Sequence, residues 1–221
     1  MPAQAGICSI TALPFRAGDL CKRSNNLGNA YLSLSQFNKA LDLYQHALPL
    51  YQQVENRMGE ARLLVNLGHA YADLDQCSKA VASYEQAMPL LHQAGNKKME
   101  ARALKYLGSA YSKQGLNDKA IASLQAAIVL GNDGQKNPND AEVHYQLGLL
   151  LYKQGEKDKA IEEYRQAIVL RPDFARAHGS LGFALYKTGH QIKGRLEWQK
   201  TLKMNDPAVA ATAQRLLDTH P

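Results

Sequence analysis

Seven histidines and three cysteines are the side chains of this sequence best able to hold a metal or attack a substrate, and their spacing supports neither role. The histidines, at 46, 69, 92, 144, 178, 190 and 220, form no i, i+4 pair with one another or with a cysteine, so a metal would have to gather ligands from distant segments. Cys8, Cys21 and Cys77 are odd in number and show no CxxC spacing, which points away from a disulfide framework or zinc site and towards a reducing compartment. GxGxxG, the phosphate loop GxxxxGKS/T, HExxH and GxSxG are absent. The expectation is a protein that is not an enzyme, uses no metal or cofactor, and works in the cytoplasm. His69 and His178 read as partly exposed helix residues.

What remains is the chemistry of non-covalent recognition. Asn25, Asn26, Asn29 and Asn66 can both give and take hydrogen bonds along an extended backbone, while Arg62, Arg102 and Lys105 suit carboxylates. The formal net charge is +6, from 26 Lys and Arg against 20 Asp and Glu, which favours an acidic partner. Those charges alternate along the whole chain instead of gathering into one basic tract, so nucleic acid is the less favoured partner. The N-terminal run GICSITALPF lacks a preceding basic segment and a small-residue cleavage site, so secretion is not expected. No stretch approaches the roughly 20 apolar residues that span a bilayer.

The elements that must position these side chains follow from a repeat. LGNAY (27–31), LGHAY (67–71) and LGSAY (107–111) recur, and the steps from Gly28 to Gly68, to Gly108 and to Gly148 are each 40 residues, after which Gly182 follows at 34. At +12 from each Gly stand Ala40, Ala80, Ala120 and Ala160; at +16, Tyr44, Tyr84, Leu124 and Tyr164; at +19, Ala47, Ala87, Ala127 and Ala167. The fifth copy departs to Gly194, Trp198 and Thr201. Leu67, Gly68 and Tyr71 share one helical face, as do Ala80, Tyr84 and Ala87, so each copy predicts two amphipathic helices. Small residues at Gly68 and Ala80 let the two backbones approach while Tyr71 and Tyr84 fill the space beside them. One such hairpin cannot cover both its faces, so neighbours must stack. The tyrosines of the LGxxY runs, tempting as a ladder for stacking bases, are read as core, and Trp198 as core with one edge exposed.

This pattern resembles the tetratricopeptide repeat family, whose L-G-x2-Y is followed by A-x3-F and a closing proline, here Pro172 in the fourth copy. The resemblance runs from about residue 20 to the end of the chain and implies an all-α superhelix, a solenoid of five helical hairpins plus a C-terminal capping helix. The 40-residue copies, with A-R-x-L-x-N-L-G-x-A-Y over 61–71, look like the long-repeat class of kinesin light chains and spindle-orientation adaptors, mixed with copies of the standard 34-residue length. The expected organisation is an irregular segment over 1–16, copies at 21–60, 61–100, 101–140, 141–174 and 175–206, and a capping helix at 207–219 led by Asp206. The loop-like GNDGQKNPND at 131–140 is expected to be a joint. Gly115, Gly155 and Gly189 fit the left-handed ends of first helices, whereas Ser35 and Asp75 take that place in copies one and two and predict weaker caps.

In such stacks the first helices line the concave surface. With the repeat glycine as position 8, the groove positions 2, 5, 6, 9 and 13 hold eight Lys or Arg (22, 62, 102, 105, 113, 153, 176, 187) against Asp73 and Glu142. The residues expected to bind a guest peptide are Asn25, Asn29, Arg62, Asn66, His69, Arg102, Lys105, Tyr106, Tyr145, Gln146 and Arg176. Arg62 and Asn66 match the long-repeat class best; Tyr106 and then Glu142 with Gln146 interrupt the ladder. The carboxylate clamp of chaperone adaptors is matched by Asn29, Asn66 and Arg102 but lacks two of its cations. The resemblance implies a scaffold or adaptor that binds a protein or peptide with an acidic or extended segment; the other readings are the repeat region of a larger regulator or assembly chaperone and, less favoured, a helical-repeat nucleic-acid binder. The oligomeric state is not legible.

Overall fold

The computed structural model describes residues 17–131 and 137–220. The segment expected to be irregular over 1–16, and residues 132–136 of the expected joint, lie outside the described residues. Within them the chain forms eleven α-helices, one 3-10 turn and no strand. The helices pair in chain order: α1 (Ala17–Ser33) with α2 (Phe37–Gln53), α3 (Arg57–Asp73) with α4 (Cys77–Gln93), α5 (Lys97–Lys113) with α6 (Asn117–Gly131), α7 (Ala141–Lys153) with α8 (Lys157–Leu170), and α9 (Ala175–Lys187) with α10 (Gln191–Thr201). A final helix, α11 (Pro207–Thr219), lies on α9 and α10. Its N-terminus is capped by Asp206, whose side chain accepts the Val209 N–H at 3.1 Å. Packing runs between helices one or two places apart in the chain, the signature of a solenoid.

The change of period is a change of helix length. Helices α1 to α5 are 17 residues each, whereas α7, α8 and α9 have 13, 14 and 13. The long second helices continue past Pro49 and Pro89, each inside a helix and exposed, at the loss of one backbone bond.

The repeat glycines are explained by the ring each one faces. A Cβ on Gly28, Gly68 or Gly148 would come within 2.4, 2.5 or 2.6 Å of Cε1 of Tyr44, Tyr84 or Tyr164. Those three rings and Trp198 are among the largest fully or almost fully buried side chains of the protein. The departure in copy five has the same logic carried further. Gly194 replaces alanine because a Cβ there would lie 2.6 Å from the Gly182 carbonyl oxygen, so α9 and α10 meet backbone to backbone beside the larger Trp198. Trp198 itself is fully buried, without the exposed edge expected from the sequence, and its indole N–H donates to the Gly179 carbonyl at 3.2 Å.

The turns are left-handed where expected. Gly115, Gly155 and Gly189 have φ of 75°, 88° and 88°, and Ser35 and Asp75 take φ of 56° and 55° despite their side chains. Glu55 does the same at the turn into α3, with φ 53°, where the next copy has Gly95.

The LGxxY tyrosines pack between helices as expected and also clasp neighbouring copies. Lys39, Lys79 and Lys119 sit 5.3, 5.5 and 5.4 Å from the ring centres of Tyr31, Tyr71 and Tyr111. The Tyr71 hydroxyl accepts from Gln45 at 3.0 Å, and Tyr111 donates to Glu85 at 2.5 Å, each reaching the second helix of the preceding hairpin.

Candidate functional site

Successive first helices touch one another, α1 with α3, α3 with α5, α5 with α7 and α7 with α9, so their outward positions form one continuous surface. The sequence-selected residues on it separate into two groups.

The first group spans α1, α3 and α5. Asn66 donates from one amide nitrogen to the side-chain oxygens of Asn25 at 3.2 Å and Asn29 at 2.8 Å. The Asn29 oxygen also accepts the Tyr44 hydroxyl at 2.6 Å. The asparagines are therefore tied together, with the acceptors of Asn25 and Asn29 occupied, and the groups left to offer a guest are the Asn66 oxygen and the Asn29 amide hydrogens. Burial raises the Tyr44 hydroxyl to about 12, so it stays a donor at neutral pH. His69 packs against Tyr106 with ring centres 4.7 Å apart and planes tilted by 51°, and Tyr106 stacks on Tyr84 at 6.0 Å. The Tyr84 hydroxyl is buried without a hydrogen-bond partner among the described residues. Arg62 and Arg102 are exposed and make no hydrogen bond or ion pair among the described residues. Arg62 borders a cleft of about 300 Å³ with Lys22, Asn26 and Asn56.

The second group spans α5, α7 and α9. Ser109 donates to the Gln146 side-chain oxygen at 2.7 Å. Arg176 reaches Glu142 at 3.0 Å, and Arg171 reaches the same carboxylate oxygen at 3.4 Å. Tyr145 packs on Phe174, ring centres 5.0 Å apart, with the Arg176 guanidinium 5.3 Å from the Tyr145 ring centre. Lys105 does not stand free: its ammonium donates to the Asn139 carbonyl at 3.4 Å, in the 3-10 turn Pro138–Asp140 that precedes α7. Lys113 pairs with Asp75 at 3.0 Å. The surplus of cations in the groove is thus reduced by pairing.

Sequence reasoning missed two features of this half of the molecule. One is an apolar pocket of about 550 Å³ between α7, α9 and α11, into which Leu149, Tyr152 and Phe183 project. Its signal was present at position 9, where polar residues give way to Leu149 and Phe183. The other is a pair of histidine–carboxylate contacts 34 residues apart, His144 with Glu163 at 2.7 Å and His178 with Glu197 at 2.6 Å, each joining the two helices of one short hairpin. His178 is 5% exposed, not a partly exposed residue, and its second ring nitrogen faces the Pro172 carbonyl at 3.0 Å. Burial would raise the Glu197 carboxyl, but hydrogen bonds from His178 and Lys200 outweigh it and hold the group below the usual carboxylate range.

Among the described residues no cluster of three metal-ligating side chains exists, and no helix is long and apolar enough to cross a membrane. Cys21 and Cys77 are free thiols.

Residues 20–93 match a family model described as tetratricopeptide repeat, and residues 108–155 and 150–189 match one described as TPR repeat. No curated protein matches the chain. Among solved structures, MamA protein is 28% identical with a TM-score of 0.68, over 84% of this chain and 92% of that one. BtubC (BKLC) from P. vanneervenii shares the fold with a TM-score of 0.75 at 20% identity, over 91% of this chain and 84% of its own. YrrB, solved as a TPR protein with an unusual peptide-binding site, has a TM-score of 0.66 at 23% identity, over 87% of this chain and 91% of its own.

Proposed function

Because the chain belongs to the tetratricopeptide repeat family, we propose that it is a non-catalytic cytoplasmic scaffold whose concave surface binds an extended, acidic segment of a partner polypeptide. The observation that carries this reading is the pair Arg62 and Arg102, both exposed and neither in a hydrogen bond or ion pair among the described residues, on the same surface as an asparagine cluster fixed by its own hydrogen bonds. A guest carboxylate meets an exposed guanidinium there, and backbone groups meet side-chain amides that lose little conformational freedom on binding. Free thiols at Cys21 and Cys77 suit a reducing compartment. YrrB supports the general use, since a protein of the same fold carries a peptide-binding site.

The test is a fluorescence-anisotropy titration of a fluorescein-labelled peptide rich in Glu and Asp against the full chain. Arg62→Ala with Arg102→Ala is expected to weaken binding about tenfold or more, and wild-type affinity is expected to fall as salt rises. Equal affinity for the wild type and the double variant would sink the assignment.

A further inference from the structure

The pocket at the C-terminal end of the groove has a chemistry unlike that of the rest of the surface. Its walls are the rings of Tyr145, Tyr152 and Phe183 with Leu149, and its far side is the capping helix, through Val209 and Leu216. Leu149 is 42% exposed although it sits among apolar neighbours. At about 550 Å³ the space is within the range that takes a ligand and has room for one or two bulky side chains.

The charged side chain in its lining is Arg176. Arg176 shares a single Glu142 carboxylate oxygen with Arg171, so two guanidinium charges meet one carboxylate and a net positive charge remains beside the pocket. Lys187 adds a second cation, its ammonium 5.6 Å from the centre of the Phe183 ring. An apolar cavity with cations at its rim is complementary to a bulky apolar side chain that has a carboxylate beside it. The cleft at the N-terminal end of the groove is lined mostly by polar side chains, among them Lys22, Asn25, Asn26, Asn56 and Arg62.

We infer that this pocket holds an apolar anchor of the guest peptide, an aromatic or large aliphatic side chain flanked by an acidic residue, while the acidic stretch of the same peptide lies along α3 and α5. This inference rests on the peptide-binding reading above. First helices of adjacent hairpins lie roughly 10 Å apart, so α5 to α9 is about 20 Å, a span that about six extended residues cover. The guest is therefore bipartite and its direction along the groove is set by which end carries the anchor.

The test uses three synthetic fluorescein-labelled peptides: an acidic stretch followed after about six residues by Trp-Glu, the same peptide with Ala for Trp, and the reversed order. The anchored peptide is expected to bind about tenfold more tightly than its Ala counterpart, as burial of one large apolar side chain gives. Leu149→Asp puts a charge among the apolar walls at an exposed position, and Thr212→Trp fills the pocket from its α11 wall. Each is expected to abolish the advantage of the anchored peptide and to leave the affinity of the Ala peptide unchanged, with helical circular dichroism intact.

Equal binding of the anchored and Ala peptides, or an advantage that survives both variants, overturns the inference. So does light scattering that shows wild-type dimers lost in Leu149→Asp, since the occupant is then a second copy. Dodecanoate binding to the wild type that is lost in Leu149→Asp, with no advantage of the anchored peptide over the Ala peptide, would assign the pocket to a lipid chain and also overturn it. Loss of the anchor effect with the Arg62 and Arg102 effect retained removes this inference alone, whereas loss of both removes the groove reading.

Discussion

The two halves of the solenoid are built from one hairpin design but hold themselves together, and face a guest, in different ways. From α1 to α5 the helices are long, and adjacent hairpins are joined through buried glutamates: Glu60 accepts from Gln52 at 2.8 Å, and His92 meets Glu100 at 3.2 Å, 40 residues further on. From α7 to α10 the helices are shorter, and the corresponding polar contacts lie inside the hairpin, as His144 with Glu163 and His178 with Glu197. The groove changes with them, from asparagine and exposed arginine to aromatic rings. The same backbone frame therefore carries two recognition chemistries, because the residues that pack the hairpin and those that face the guest occupy different helix positions.

The largest expected effect that would break this contrast is in the C-terminal half. Trp198→Ala empties the space between α9, α10 and α11 and is expected to cost about 3 to 5 kcal/mol in urea unfolding. If the halves are linked only through neighbours, hydrogen exchange should rise in α9 to α11 and remain low in α3 and α4. A uniform rise along the chain would show the halves to be one cooperative unit.

A smaller effect concerns the histidine–carboxylate contact. Glu197→Gln is expected to cost about 2 kcal/mol, the order for a buried charged group that loses its partner. The carboxyl of Glu197 titrates below its ordinary value of 4.5, so its contribution is complete above that value and disappears as the pH falls below it. Thermal unfolding between pH 6 and pH 3 checks the sign: the wild type should lose stability faster than the Gln variant as acid is added, and parallel curves would contradict it.

The smallest effects sharpen the comparison inside the N-terminal half. Tyr44 donates to Asn29, whereas Tyr84, at the same place one copy later, has a buried hydroxyl with no partner among the described residues because position 9 is His69, turned onto Tyr106. Tyr44→Phe is expected to destabilise by about 1 kcal/mol, while Tyr84→Phe should be neutral or slightly stabilising. Equal losses in chemical denaturation would mean that the two hydroxyls are equivalent.

These pairs also show what a sequence can and cannot disclose here. Gly28, Gly68 and Gly148 with the aromatic residue sixteen positions later are legible, because close packing requires a small group opposite a ring and the offset is fixed by the hairpin. Asn25, Asn29 and Asn66 were legible as groove residues, but not as partners of one another, since that depends on side-chain directions across helices about 40 residues apart in sequence. Arg176 read as an available cation for the same reason; its carboxylate, Glu142, stands in the preceding copy. The apolar pocket needs α11 to complete it; a capping helix on the last hairpin was legible, but not the open space it leaves beside Leu149 and Phe183. His178 was misjudged because a histidine on a helix carries no mark of burial until its acceptors, Glu197 and the Pro172 carbonyl, are in view.

The left-handed Glu55 has a consequence for how this chain could be lengthened or shortened. Its φ of 53° lies in the turn that hands α2 over to α3, at a place where the next copy uses glycine. A side chain held in that backbone region disfavours the folded turn relative to glycine by about 1 kcal/mol. The seam between the first and second hairpins is thereby the weaker hinge of the two, and a cut or insertion there would disturb the remaining hairpins less than one at Gly95.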